Sequence, residues 1–136
     1  MFIEFFDDYK RLEADGFVFN VPTGLETSDA VFEAYAKGFS APGNYFGSNW
    51  DAFNDSFRYL EWINEYKIII VHQQLPKLSD KLVKTYLEIL VDACALWNNR
   101  GKSPRVEVFG TYGPHHMRVL FPANCKSSVL SALNND

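Results

Sequence analysis

Residues Lys67 to His72 (KIIIVH) set four β-branched residues in succession. A run without polar alternation is what a strand needs when both faces are buried, and such strands belong to parallel sheets covered by other layers. A second run, Phe17 to Val21 (FVFNV), lies between Gly16 and Pro22 and reads as the first strand. Between the two, the pattern changes to helical. Thr27 or Ser28 caps a helix running to about Phe39, with Asp29 and Glu33 in its first turns, where the macrodipole favours acids. After the loop chemistry of SAPGNYFGSN, a second helix is expected from about Asn49 to Trp62. Ser79 or Asp80 opens the longest helix, in which Leu82, Val83, Tyr86, Leu87, Leu90, Ala93 and Cys94 recur at helical spacing to about Asn98.

Arg105 to Phe109 is expected as a third strand, Met117 to Phe121 as a strand pairing back in a hairpin, and Ser127 to Leu133 as a weak final helix. Met1 to Asp15 reads as a short helix, or a strand plus a helix. Strands alternating with helices imply crossover connections. The expectation is therefore an α/β fold: one domain over Met1 to Asp136, with a small, mainly parallel three-stranded sheet packed by helices. Residues 1–16 and 110–136 would be short additions to it.

Several function classes are disfavoured at once. No apolar run reaches the roughly 18 residues of a membrane span. The start, MFIEFFDDYK, has no basic residue before its apolar stretch and makes a poor signal peptide. Cys94 and Cys125 are too few for a disulfide framework, which points to a reduced, cytoplasmic protein. His115 and His116 are adjacent after Gly113-Pro114, as in a hairpin turn, and His72 ends a strand as a core or edge histidine. No zinc spacing and no phosphate-binding Gly loop is present, so no metal or cofactor is expected. Lys77, Lys81 and Lys84 share one side of the third helix, yet no aromatics interleave them, and a solvated face explains them better than nucleic-acid binding.

Charge is distributed unevenly. Residues 1–65 carry 12 acids against 4 bases, and residues 66–136 carry 5 acids against 9 bases. An acidic side attracts basic partners and repels nucleic acid, although ordinary surface acids would give the same count. On the expected helix Asn49–Trp62, the residues Trp50, Phe53, Phe57 and Leu60 fall on one side as core. Asp51, Asp55, Arg58 and Trp62 fall on the other, with Tyr59 at its margin. Asp51 and Asp55 are neighbours on that surface, and like charges at this spacing cost the helix a few tenths of a kcal/mol. Asp51 also reads as an ordinary first-turn acid beside a Ser48 or Asn49 cap. Asp55, a turn further in, has no capping role, and a pairing with Arg58 is its plain alternative. Paired carboxylates serve acid–base catalysis only when their surroundings differ, and these two show no evident asymmetry. An enzyme is not expected.

The stretch YFGSNWDAFNDSF resembles the signature of the barstar family, inhibitors of barnase-like ribonucleases. Members carry an aromatic pair, a Gly, an Asn and then two aspartates four apart, as Tyr45, Gly47, Asn49, Asp51, Ala52 and Asp55 do here. The element order from Phe17 to Phe109 is similar too. The resemblance implies an acidic helix that enters a ribonuclease active site, with carboxylates where substrate phosphates would sit. Asp55 would go deepest, Asp51 would be its partner one turn earlier, and Tyr45 and Asn49 would flank them. There are departures. Asn54 stands where the family has an aromatic contact, and Tyr59 and Leu60 stand where it has a Gly-Trp pair. A further acidic contact at Asp92 rests on a loose alignment. The implied partner-binding set is Tyr45, Gly47, Asn49, Asp51, Asn54, Asp55 and Tyr59.

The function implied is that of a one-to-one ribonuclease inhibitor, an immunity protein against a nuclease toxin, that binds neither nucleic acid nor membrane. The altered flanking residues point to a nuclease other than barnase itself. The alternative is an adaptor of the same fold that binds a basic protein without inhibiting it.

Overall fold

The computed structural model describes residues 2–7, 15–100 and 115–134. Four strands form one sheet: β1 (Ile3–Phe6), β2 (Phe17–Val21), β3 (Lys67–His72) and β4 (His116–Pro122). Their order is β1-β4-β3-β2, and every pairing is parallel. The helices are α1 (Ser28–Gly38), α2 (Trp50–Ser56), α3 (Asp80–Arg100) and α4 (Lys126–Asn134). Short 3₁₀ turns lie at Pro42–Asn44 and Ala123–Cys125.

The α/β class and the parallel sheet are as the sequence implies, but the sheet has four strands rather than three. IEFF, expected only as part of an N-terminal addition, forms an edge strand on β4, with Ile3 opposite Val119 and Phe5 opposite Phe121. Met117 to Phe121 lies in β4, between β1 and β3, and does not turn back as a hairpin strand. The reason is geometric. The 21 residues of α3 span about 32 Å, enough to return the chain along the whole sheet, and β4 runs in the same direction as β3, with a parallel neighbour on each side. The expected strand Arg105–Phe109 lies outside the described residues.

β3 is buried from Ile68 to His72, as its unbroken apolar run requires. On one face Ile68, Ile70 and His72 meet the helices, in a row with Phe19 and Val21 of β2 and Val119 and Phe121 of β4. Ile69, Val71 and Leu120 form a smaller cluster on the other face with Phe6 and Val18. Arg118 donates two hydrogen bonds of 2.8 Å to the Glu4 carboxylate, tying β4 to β1. α1 begins where expected: the Thr27 hydroxyl accepts from the Ala30 N–H at 3.1 Å, and the helix buries Val31, Phe32, Tyr35 and Ala36. α3 buries Tyr86, Leu87, Leu90, Cys94 and Trp97 at helical spacing. Burial pushes the Cys94 thiol up to about 12, which leaves it an inert core residue.

A buried polar chain crosses this core. His72 is fully buried, stacked on Phe121 at 3.8 Å, with Nδ1 3.1 Å from Leu120 O and Nε2 2.6 Å from the Tyr86 hydroxyl. A carbonyl only accepts, so Nδ1–H donates to Leu120 O and Nε2 accepts from Tyr86. Tyr86 in turn accepts from the Tyr35 hydroxyl at 2.6 Å. Every group is satisfied, but only with His72 neutral. Burial accordingly lowers its pKa from 6.5 to about 3, against the opposing bond to Leu120.

The folded state therefore binds fewer protons than the unfolded chain between those two values. His72's contribution to stability is complete above about pH 6.5 and is lost as the pH falls toward 3. Denaturant midpoints measured across that window should show wild type losing up to about 1.4 kcal/mol per pH unit from this group. His72→Gln should lose visibly less, since it cannot take the proton.

Candidate functional site

The segment from Asn44 to Tyr59 is built around a helix of only seven residues. Asn49 is its N-cap, accepting from the Ala52 N–H at 2.8 Å. The loop before it needs Gly47 for two reasons. Its φ is +106°, and a Cβ there would lie 2.5 Å from the Phe53 backbone N. This close approach sets the loop directly against the first turn of α2. Inward, Phe53 is fully buried against Tyr35, with ring centroids 4.9 Å apart at 89°, and Phe57 lies 5.0 Å from Phe46. Trp50 is half-buried, edge-on to Phe32 at 4.9 Å, and its indole donates to the Ser28 hydroxyl at 3.1 Å. These contacts bear out the core side read from the sequence.

The expected helix end is not borne out. α2 stops at Ser56, and the chain turns through i→i+3 bonds from Phe57 N to Asn54 O, Arg58 N to Asp55 O and Tyr59 N to Ser56 O. Side chains occupy backbone carbonyls in and after this turn. The Ser56 hydroxyl bonds back to Ala52 O at 2.9 Å. Trp97 of α3 donates to Phe57 O at 2.6 Å, and the His115 ring contacts Leu60 O at 3.0 Å. Trp62 consequently does not stand on the outward face with Asp51. It is half-buried, donating to Phe39 O at 2.8 Å, and Tyr59 leaves the helix altogether while staying exposed.

The outward face carries Asp51 and Asp55 of α2, both exposed. Asp55 faces Arg58 at 3.9 Å, the pairing expected as its alternative role, but the Asp55 side chain is still 69% exposed. A pair that long and that solvated is worth little. Tyr45 and Tyr59 are both more than half exposed and lie at the two ends of the segment, with Asn49 exposed and Asn54 half-buried between them. A shallow groove of about 190 Å³ adjoins the face, lined by Asn44 to Ser48 and by Asp29, Phe32, Glu33 and Ala36 of α1. The sequence marks Asp29 and Glu33 only as first-turn acids of α1. The fold sets them beside Tyr45, which no local spacing could reveal. Asp92 is exposed on α3.

His115 departs from its expected place as well. It does not lie in a hairpin turn; it is buried just ahead of β4, next to the same segment. Among the described residues no group of three or more His, Cys, Asp or Glu could hold a metal ion, and no helix is long and apolar enough to cross a membrane.

On an α/β scaffold, a short helix turns two carboxylates to solvent, with an exposed tyrosine beyond each of its ends. A family model described as Barstar (barnase inhibitor) matches residues 6–108, and the chain belongs to the barstar family. Members are inhibitors rather than enzymes, and they bind ribonucleases. The match spans α1, α2, α3, β2 and β3 and ends before β4. No curated protein and no solved structure matches the chain.

Gly47→Ala should lower stability by about 1–3 kcal/mol in denaturant unfolding, since it strains a left-handed residue and forces a Cβ against backbone. Asp51→Ala and Asp55→Ala should each change stability by no more than about 1 kcal/mol, because both sites are exposed.

Proposed function

We propose that this protein inhibits a barnase-type ribonuclease in a one-to-one complex, with Asp51 and Asp55 standing in for the phosphates of RNA in the nuclease active site. The observation that carries this reading is the exposure of both carboxylates on α2, backed by a buried aromatic face, in a chain of the barstar family. A site that binds phosphate supplies Arg, Lys and His donors, and these form charge-assisted hydrogen bonds equally well to carboxylates. Net negative charge on the approaching side draws a basic enzyme in and speeds encounter. Tyr45, Gly47, Asn49, Asn54 and Tyr59 complete the contact set, with the tyrosines as rigid amphipathic anchors at its ends. In this reading the protein works in a reducing cytoplasm and guards its producer against a nuclease toxin.

The test is titration of RNA cleavage by a barnase-type ribonuclease, with the complex also followed by calorimetry. Inhibition should saturate at one equivalent. Asp55→Ala should cost at least about 2 kcal/mol of binding, Asp51→Ala less, and Glu61→Ala less again. Association should slow as salt is raised, because exposed charge is screened within about 10 Å at 0.1 M. Equal inhibition by wild type and the Asp51→Ala/Asp55→Ala double variant would remove the mechanism. Binding without loss of cleavage would instead make the protein an adaptor.

A further inference from the structure

Among the described residues, two that are not glycine have a left-handed backbone: Ser40 with φ +50° and Asn44 with φ +54°. Residues with a Cβ seldom adopt that region, and they persist there only where their surroundings fix them. Both lie on the path from α1 to Gly47. At Ser40, the Ala41 N–H reaches back to Ala36 O at 2.9 Å and the Ser40 N–H to Lys37 O at 3.2 Å, which stops α1 in a Schellman turn. At Asn44, the N–H bonds to Ala41 O at 2.9 Å and closes the 3₁₀ turn that Pro42 opens.

Past that turn the chain is pinned on its inner side. Phe46 is 1% exposed, packed against Phe39 at 5.2 Å and Phe57 at 5.0 Å, and Gly47 abuts the Phe53 backbone. Tyr45 stands between these two anchors with an extended backbone, φ −125° and ψ +126°. Neighbours on an extended chain point to opposite sides, so a buried Phe46 turns Tyr45 out, where it is 55% exposed. Asn44 is itself exposed, so it contributes the direction of the chain rather than core packing.

We infer that Asn44 is a positioning residue for Tyr45: its left-handed backbone aims the ring outward before a partner arrives, and the turn from Ser40 to Gly47 is a preorganised arm of the binding face. An anchor fixed in advance spares the complex the cost of ordering it. The aim of the ring stands on the geometry alone, and its effect on a partner rests on the inhibitor reading.

In the free protein, backbone order parameters of the Tyr45 and Phe46 amides should match those of β3, near the value of about 0.85 for rigid backbone. Values below about 0.6 would mean a loop that orders only on binding, and the proposal would fall. Asn44→Val puts a β-branched side chain where φ is positive and should swing the turn. Its complex with a barnase-type ribonuclease should dissociate about tenfold faster than that of wild type, with β3 amides exchanging as before. Asn44→Gly accepts the same φ without a side chain and should recover most of that loss. Equal loss in the glycine variant would make the Asn44 amide itself a contact and overturn the positioning role.

In a Tyr45→Ala background, Asn44→Val should add less than about twofold, because no ring is left to misdirect. The same cost with and without the ring would break the link between the two residues. If wild type fails to inhibit the ribonuclease while the free loop proves rigid, the inhibitor reading fails and the fixed, outward ring still stands.

Discussion

A helix of seven residues does not hold together by its own hydrogen bonds in water; nucleation costs more than so few bonds return. α2 exists because Phe53 is locked among Tyr35, Phe46 and Trp50, and because Phe57 continues that wedge into the turn beyond it. Everything presented to solvent on the segment inherits its position from those buried rings. Asp51 and Asp55 cost a short helix something through mutual repulsion, and the aromatic anchorage beneath makes that cost tolerable.

The scaffold beneath is rigid for identifiable reasons. β3 runs through the centre of the sheet with no polar interruption, and the Tyr35–Tyr86–His72 chain links α1 and α3 to β3 and, through Leu120 O, to β4 with no buried donor or acceptor left over. A fully satisfied buried network favours one arrangement over its near neighbours. It runs directly under α2, since Tyr35 and Tyr86 both contact the Phe53 ring. Recognition sites positioned from rigid elements hold their geometry better than sites on free loops. Here the rigid element is borrowed, and the short helix is its outermost layer.

Much of this was legible in the sequence because it depends on neighbours in the chain. KIIIVH announces a doubly buried strand, Thr27 or Ser28 and Ser48 or Asn49 announce caps, and the spacing of Trp50, Phe53, Phe57 and Leu60 announces which side of the segment is core. What was not legible depends on distant partners. α2 ends at Ser56 partly because Trp97 and His115, 40 and 55 residues away from the carbonyls they contact, occupy Phe57 O and Leu60 O. The direction of β4 is set by its distant neighbours β1 and β3, and its seven residues alone carry no mark of parallel or antiparallel pairing. IEFF is too short to declare itself as an edge strand until Arg118 and Glu4 are seen to join it to β4.

The central claim is that one face, from Tyr45 to Tyr59, is where a ribonuclease sits. Amide hydrogen exchange, measured on the protein with and without a saturating barnase-type ribonuclease, locates the covered surface directly. The account predicts slowed exchange concentrated in Tyr45 to Tyr59, with the region around Lys81 and Lys84 unchanged. Protection centred on those lysines instead, with the α2 segment exchanging as in the free protein, would contradict it.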